Sequence, residues 1–378
     1  MMPRPLAAAF LLAGALLAAA AAQAQIAAED LKAWPRTDFS KRSIDLAEIR
    51  HGGPPKDGIP AIDRPHFVTA SAARAWLAPQ EPVIVLRLGG RARAYPLQIL
   101  MYHEIVNDTF AGSPVAVTFC PLCNASIVFD RRLDGRTLDF GTTGRLRKSD
   151  LVMYDRQTES WWQQFTGEGI VGVHTGRQLR MLPSEVASFA EFAAAYPVDE
   201  VLSQRTGHSR PYGRNPYRGY DRVGQNPFLF DDPVDKRLPA MERVLAITLG
   251  GRTRLHPFAQ LEGRPVINES LAGTPYVVFA RSRVRSALDA ERIAEGRVIP
   301  AASAFRRDLG GRMLDFAPSE DGAVDAQTGS LWNAFGEAFA GPLQGRRLEA
   351  VPGGVHFAFA WLAFRPDSEI YDPAQAGR

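Results

Sequence analysis

Cysteine is almost missing from this chain: two residues, Cys120 and Cys123, stand among 378. So few cannot build the disulfide framework that holds small secreted domains together. An excess of one charge is missing too. The 44 Lys and Arg against 41 Asp and Glu leave a net charge of +3, which gives no reason to expect nucleic acid or anionic lipid as a partner. Beyond the N-terminus, no stretch approaches the roughly 18 consecutive apolar residues that a membrane span needs. Common catalytic signatures are also absent. No Gly-x-Ser-x-Gly, His-Glu-x-x-His or paired-carboxylate pattern occurs, and the βαβ setting of a thioredoxin-type site is missing around the cysteines.

What is present begins with an export signal. Arg4 supplies a positive start, residues 5–22 are nearly all Ala, Leu and Phe, and Ala22-Gln23-Ala24 has the small-x-small form that signal peptidase cuts. The reading is a signal peptide over 1–24, a mature chain from Gln25, and a soluble periplasmic or secreted protein with no membrane span after cleavage. The oxidising space it enters makes the cysteine pair a disulfide unless metal or a reductant holds it open. The partners of the mature chain are not legible.

The 354 residues that remain (378 minus 24) exceed one ordinary core. Residues 86–97 match 247–258, 105–114 match 266–275, 133–140 match 309–316, and 157–165 match 327–335, always in the same order. The chain therefore reads as a duplicated domain. The expected fold is mainly β (α+β): two duplicated antiparallel β domains with a few short helices. The expected limits are a lead-in at 25–80, a first repeat at 81–204, a Pro/Gly/Tyr-rich connector at 205–240 and a second repeat at 241–378. Glycine pairs 89–90 and 250–251 turn hairpins. Ser184 is expected to cap a helix over 184–195 with Val186, Phe189, Ala190 and Ala193 on one face. A further helix is expected at 286–295 and a shorter one near 357–364.

Comparison of the repeats inside one molecule separates scaffold from chemistry. The glycine hairpin, Leu-Asp-Phe and Gln-Thr-x-Ser-x-Trp occur twice and are assigned to architecture, with Trp162 and Trp332 as core aromatics. Cys120, Cys123, Tyr102, His103, Glu104, Arg156 and His174 occur only in the first repeat, which therefore reads as the working one. Cys-Pro-Leu-Cys stands between two β-rich runs, 115–119 and 127–129.

Three functions stay open for that turn. It can form a soft-metal site for a zinc or copper ion, with Cys120 and Cys123 as thiolates and His103, Glu104 or His174 completing the set; Asn124 is able to adopt the left-handed turn such a knuckle needs. It can be a thiol–disulfide oxidoreductase centre, with Cys120 attacking, Cys123 resolving, and His103 or Arg131 stabilising a thiolate. Or it can be a structural disulfide in a non-enzymatic binding module. His51, His66, His208, His256 and His356 are not expected to be ligands, and residues 141–150 are read as a solvated hairpin loop.

Residues 56–60 (Lys-Asp-Gly-Ile-Pro), 101–107 (Met-Tyr-His-Glu-Ile-Val-Asn), 118–123 (Thr-Phe-Cys-Pro-Leu-Cys), 150–156 (Asp-Leu-Val-Met-Tyr-Asp-Arg) and 157–162 (Gln-Thr-Glu-Ser-Trp-Trp) carry a resemblance, which extends through 210–221 and 228–243. The chain resembles the bacterial family catalogued as domain of unknown function number 3179. The resemblance brings no activity with it. Some relatives in that family are labelled candidate selenoproteins, which implies soft-ligand or redox chemistry at the cysteine motif and argues against an inert bridge.

Overall fold

The computed structural model describes residues 32–280 and 283–374, so the signal-peptide reading of 1–24 lies outside the described residues. The fold is mainly β, with short helices and mostly antiparallel sheets. Among the described residues no helix is long and apolar enough to cross a membrane.

Each half builds the same three sheets. In the first, Pro82–Leu88 and Arg91–Pro96 pair around Gly89 and Gly90, whose φ of +58° and +76° suit a two-residue hairpin turn. Ser184–Ser188 flanks this pair antiparallel, and Glu200–Leu202 joins it in parallel. In the second half, Arg243–Leu249, Arg252–Pro257, Gly353–Phe357 and Glu369–Ile370 pair in the same order and senses. A meander of Ile105–Phe110, Ser113–Cys120 and Ala125–Asp130 has its counterpart in Val266–Leu271, Thr274–Phe279 and Ser303–Arg306. A third sheet runs through Phe140–Arg147, Asp150–Asp155, Trp161–Gln163 and Gly169–Val171, matched by Phe316–Ser319, Gly322–Asp325, Leu331–Trp332 and Ala338–Ala340. Its turn uses one device twice. Asp155 accepts from Thr158 N and from Trp162 Nε1 at 2.7 and 2.9 Å, and Asp325 accepts from Thr328 N and Trp332 Nε1 at the same distances.

Several elements differ from their sequence expectation. The helix starts at Phe189, not Ser184: Ser188 and Glu191 form a reciprocal capping box, and Ser184–Ser188 is a strand. Phe189, Phe192 and Ala193 are the residues it buries. Residues 286–295 are mostly irregular, with one 3₁₀ turn at Ile293–Glu295. Their polar groups are taken by tertiary bonds. Ser286 Oγ meets the buried Asp221 carboxylate, and Asp289 O and Glu291 O accept from Gly219 N and Asn215 N in the connector. Residues 141–147 belong to a strand, not a solvated loop, and only Lys148 and Ser149 form the turn.

The halves cross over each other. Phe165 packs on Trp361 and Phe364 of the helix Ala358–Phe364, with ring centroids 5.5 and 4.9 Å apart. Reciprocally, Phe335 packs on Tyr196, beside the helix Phe189–Ala195, at 5.3 Å. The largest apolar cluster includes Val117, Phe119, both cysteines and Trp162 from the first half and Phe357 and Phe359 from the second. The lead-in joins the first half: Ile49–His51 extends the third sheet and Phe67–Thr69 the first. Residues 205–240 hold no helix or strand; Tyr212, Tyr217, Tyr220 and Phe230 pack on the cluster.

Candidate metal centre

Ser113–Cys120 ends at the first cysteine, and the chain reverses through Pro121-Leu122 before Ala125–Asp130 begins. Asn124 donates its N–H to Pro121 O at 3.2 Å and sits at φ +50°, a left-handed conformation that asparagine tolerates better than most residues. Both cysteines are free thiols, 2 % and 0 % exposed.

Beside them lies an acid. The hairpin from Phe140–Arg147 to Asp150–Asp155 turns at Lys148 and Ser149, with φ of +53° and +67°. This puts Ser149 O 3.8 Å from Cys120 Sγ and Asp150 against both sulfurs. One carboxylate oxygen of Asp150 and the two Sγ atoms all lie within 4.8 Å of one another. Asp150 is fully buried. Its Oδ2 accepts from Gln163 Nε2 at 2.6 Å and Phe165 N at 2.9 Å, whereas its Oδ1 has no hydrogen-bond partner.

A second acid is close. Glu104 sits at φ +58°, and its carbonyl accepts from Phe119 N at 2.8 Å, holding it next to the cysteine strand. Its side chain is buried and, among the described residues, makes no hydrogen bond or ion pair. Burial pushes the Glu104 carboxyl up to about 8, and Asp150 adds to the rise. Burial likewise pushes Asp150 up to about 7, against the hydrogen bonds from Gln163 and Phe165 N. Both thiols are raised by burial, with the Asp150 charge adding to it. Four acids thus converge, and no lysine or arginine among the described residues pairs with any of them.

The site is closed from several directions. Tyr220 donates its hydroxyl to Leu122 O at 3.1 Å and accepts from Phe228 N at 3.1 Å, so the connector covers the turn. Ser149 Oγ donates to Phe228 O. From the other half, Phe357 N donates to Cys123 O at 3.0 Å.

The remaining expected site residues are held elsewhere. His103 is buried, with Nδ1 2.7 Å from Pro60 O and Nε2 2.7 Å from Tyr212 Oη. Burial lowers it to about 4, so it is a neutral ring. His174 stacks near Trp162 at 5.7 Å, and its N–H donates to Ser160 Oγ at 3.2 Å. Arg131 is engaged by Leu138 O, Asp139 and Asp108 O. Arg156 pairs with Asp57 and Asp63. The side chain brought to the sulfurs is that of Asp150, and the Glu104 carboxylate lies outside the group whose ligand atoms fall within 4.8 Å of one another. Asp150 is the residue that sequence reasoning missed. The one available signal was an acid opening a run, Leu-Val-Met-Tyr, that leaves no face for water. In the second half, Thr274–Phe279 continues as Ala280, whose N–H returns to Pro265 O at 2.9 Å.

Two thiols and a carboxylate on one point are a ligand set for a borderline divalent ion. Tetrahedral zinc with bonds of roughly 2.3 Å to sulfur places two sulfurs roughly 3.8 Å apart, which is compatible with ligand atoms that lie within 4.8 Å of one another. Carboxylate oxygen suits zinc better than copper(I), which prefers sulfur alone. An attacking thiol needs the opposite setting: access, a nearby positive charge and a lowered pKa.

The family model described as "Protein of unknown function (DUF3179)" matches residues 56–368. No curated protein and no solved structure matches the chain.

Proposed function

From the premise that the chain belongs to this DUF3179 family, we propose that it is an exported metal-binding protein whose first half holds a zinc-class divalent ion. Cys120 and Cys123 are the thiolate ligands, Asp150 is the third, and Glu104 is the candidate fourth. The observation that carries the reading is the buried meeting of two sulfurs with a carboxylate oxygen of Asp150, a side chain whose Oδ1 has no hydrogen-bond partner. A buried unpaired carboxylate is costly, and several buried acids with no cation are costlier still. A divalent ion that replaces their protons removes that cost. The role is structural, because the ligands tie the cysteine turn to the end of the neighbouring hairpin under a roof of connector residues. The two-repeat reading supports the same assignment: the second half keeps the strand and lacks the cysteines.

The test is metal analysis of the mature chain purified without chelator, beside Cys120→Ser. One equivalent of zinc-class metal is expected in the unaltered protein and none in the variant. A metal-free protein that also takes up no zinc at micromolar free concentration, with a disulfide that thioredoxin reduces, would overturn the proposal in favour of thiol–disulfide exchange. N-terminal sequencing of the exported protein tests cleavage before Gln25.

A further inference from the structure

A second feature lies where the halves cross, beside Phe165. A cavity of about 420 Å³ opens there between the strand Ala125–Asp130 and the helix Ala358–Phe364, within the size range of small-molecule pockets. Its aromatic wall is made by Phe165, His356 and Trp361, with His356 4.9 Å from Phe165 and 5.0 Å from Trp361. His356 is 2 % exposed. Its Nδ1 is buried without a partner, and among the described residues Nε2 has no hydrogen bond either.

An imidazole nitrogen buried without a partner is unusual, since the unmade bond at Nδ1 costs about 1–3 kcal/mol, and Nε2 is the nitrogen left for a ligand. The strand leaves the ring open: Gly354, two residues earlier on the same face, carries no side chain, and a Cβ there would lie 3.0 Å from Nε2. The reciprocal crossing has no such group. There Tyr196 Oη donates to Glu337 at 2.6 Å, and Arg87 pairs with Glu185 and Glu337. The pocket's lining contains no aspartate or glutamate, and its one charged side chain is Arg365 at the mouth. Among the described residues the Arg365 guanidinium makes no ion pair.

We propose that this cavity binds a small carboxylate with an aromatic body, the ring lying against the wall of Phe165, His356 and Trp361 and the carboxylate accepting from His356 Nε2 and Arg365. Apolar walls with a few convergent polar groups fix such a ligand's orientation. Burial holds His356 neutral, with one nitrogen carrying the proton it donates. The site is independent of the cysteine centre and stands whether or not metal binds there.

The test is calorimetric titration of the full mature chain with 3-phenylpropionate and with its neutral isostere 3-phenylpropanamide. Saturable binding of the acid with Kd below about 1 mM is expected, with the amide at least about tenfold weaker. Arg365→Gln is expected to remove the preference for the acid. His356→Phe keeps the stacked ring and removes the unpaired nitrogens, so it is expected to weaken the acid about tenfold or more while the melting temperature holds or rises. Absence of saturable binding at 10 mM probe (on the order of ten times that Kd), equal affinity for acid and amide, or binding unchanged in both variants would overturn the proposal.

Discussion

Asp150 is a carboxylate with half of its hydrogen-bonding capacity used and half turned toward two thiols. Asp150→Asn keeps the shape and one acceptor oxygen but removes the negative charge a divalent ion needs. Zinc affinity, measured by competition with a chelating dye, is expected to fall by at least about tenfold, since even outer partners of ligands cost that much. Unchanged affinity would remove Asp150 from the ligand set. At this scale the cysteine pair and the left-handed Asn124 were readable, because spacing and residue type carry both. The acid was not, because its partners arrive from a different hairpin and sequence distance says nothing about them. His103 was singled out for standing beside Glu104. Its ring instead turns to Pro60 O and Tyr212.

Elements were readable where the local pattern stood alone. Glycine pairs 89–90 and 250–251 predicted their hairpins. The helix start was misplaced by four residues because Ser184 and Ser188 are both plausible caps, and only Ser188 has a glutamate three residues on. Residues 286–295 have helical composition, but a buried Asp221–Arg243–Arg297 cluster takes their polar groups. One element invites a direct measurement. Gly144 lies at φ +70° where the strand Phe140–Arg147 shifts register, and a Cβ there would stand 1.9 Å from Pro54 O. Gly144→Ala is expected to destabilise the fold by about 2–3 kcal/mol through backbone strain and displacement of the 54–58 loop. Urea unfolding measures it, and a loss below about 0.5 kcal/mol would contradict the close approach.

For the molecule as a whole, acid and base act on different groups. His103, His256 and His356 are buried and neutral, lowered by burial to about 4, 3 and 3. Their contribution is complete above about pH 7.5 and is lost as pH falls, because the unfolded chain takes up protons first. Asp150 and Glu104 act the other way. Their folded values of about 7 and 8 lie above the unfolded ones, so their contribution is present at low pH and is lost as pH rises through 7 and 8. Between about pH 7.5 and 8.5 the histidine contribution is nearly flat, because an unfolded histidine of pKa about 6.5 has by then lost its proton. The metal-free protein is therefore expected to lose stability across that window, by up to about 1.4 kcal/mol per pH unit for each proton held only by the folded state. With zinc bound the protons are gone, and stability is expected to rise with pH over the same range. Thermal melts with and without zinc at four pH values check it, and parallel slopes would contradict the metal assignment.

The bond from Phe357 N to Cys123 O also sets an order of events. Residue 357 leaves the ribosome more than two hundred residues after the cysteines do. Until the last strand arrives, the cysteine turn lacks one of its hydrogen bonds and part of its cover. On the export and metal reading proposed above, the thiols meet the oxidising compartment in a half-built molecule, and early metal capture would protect them for the time the chain needs to finish.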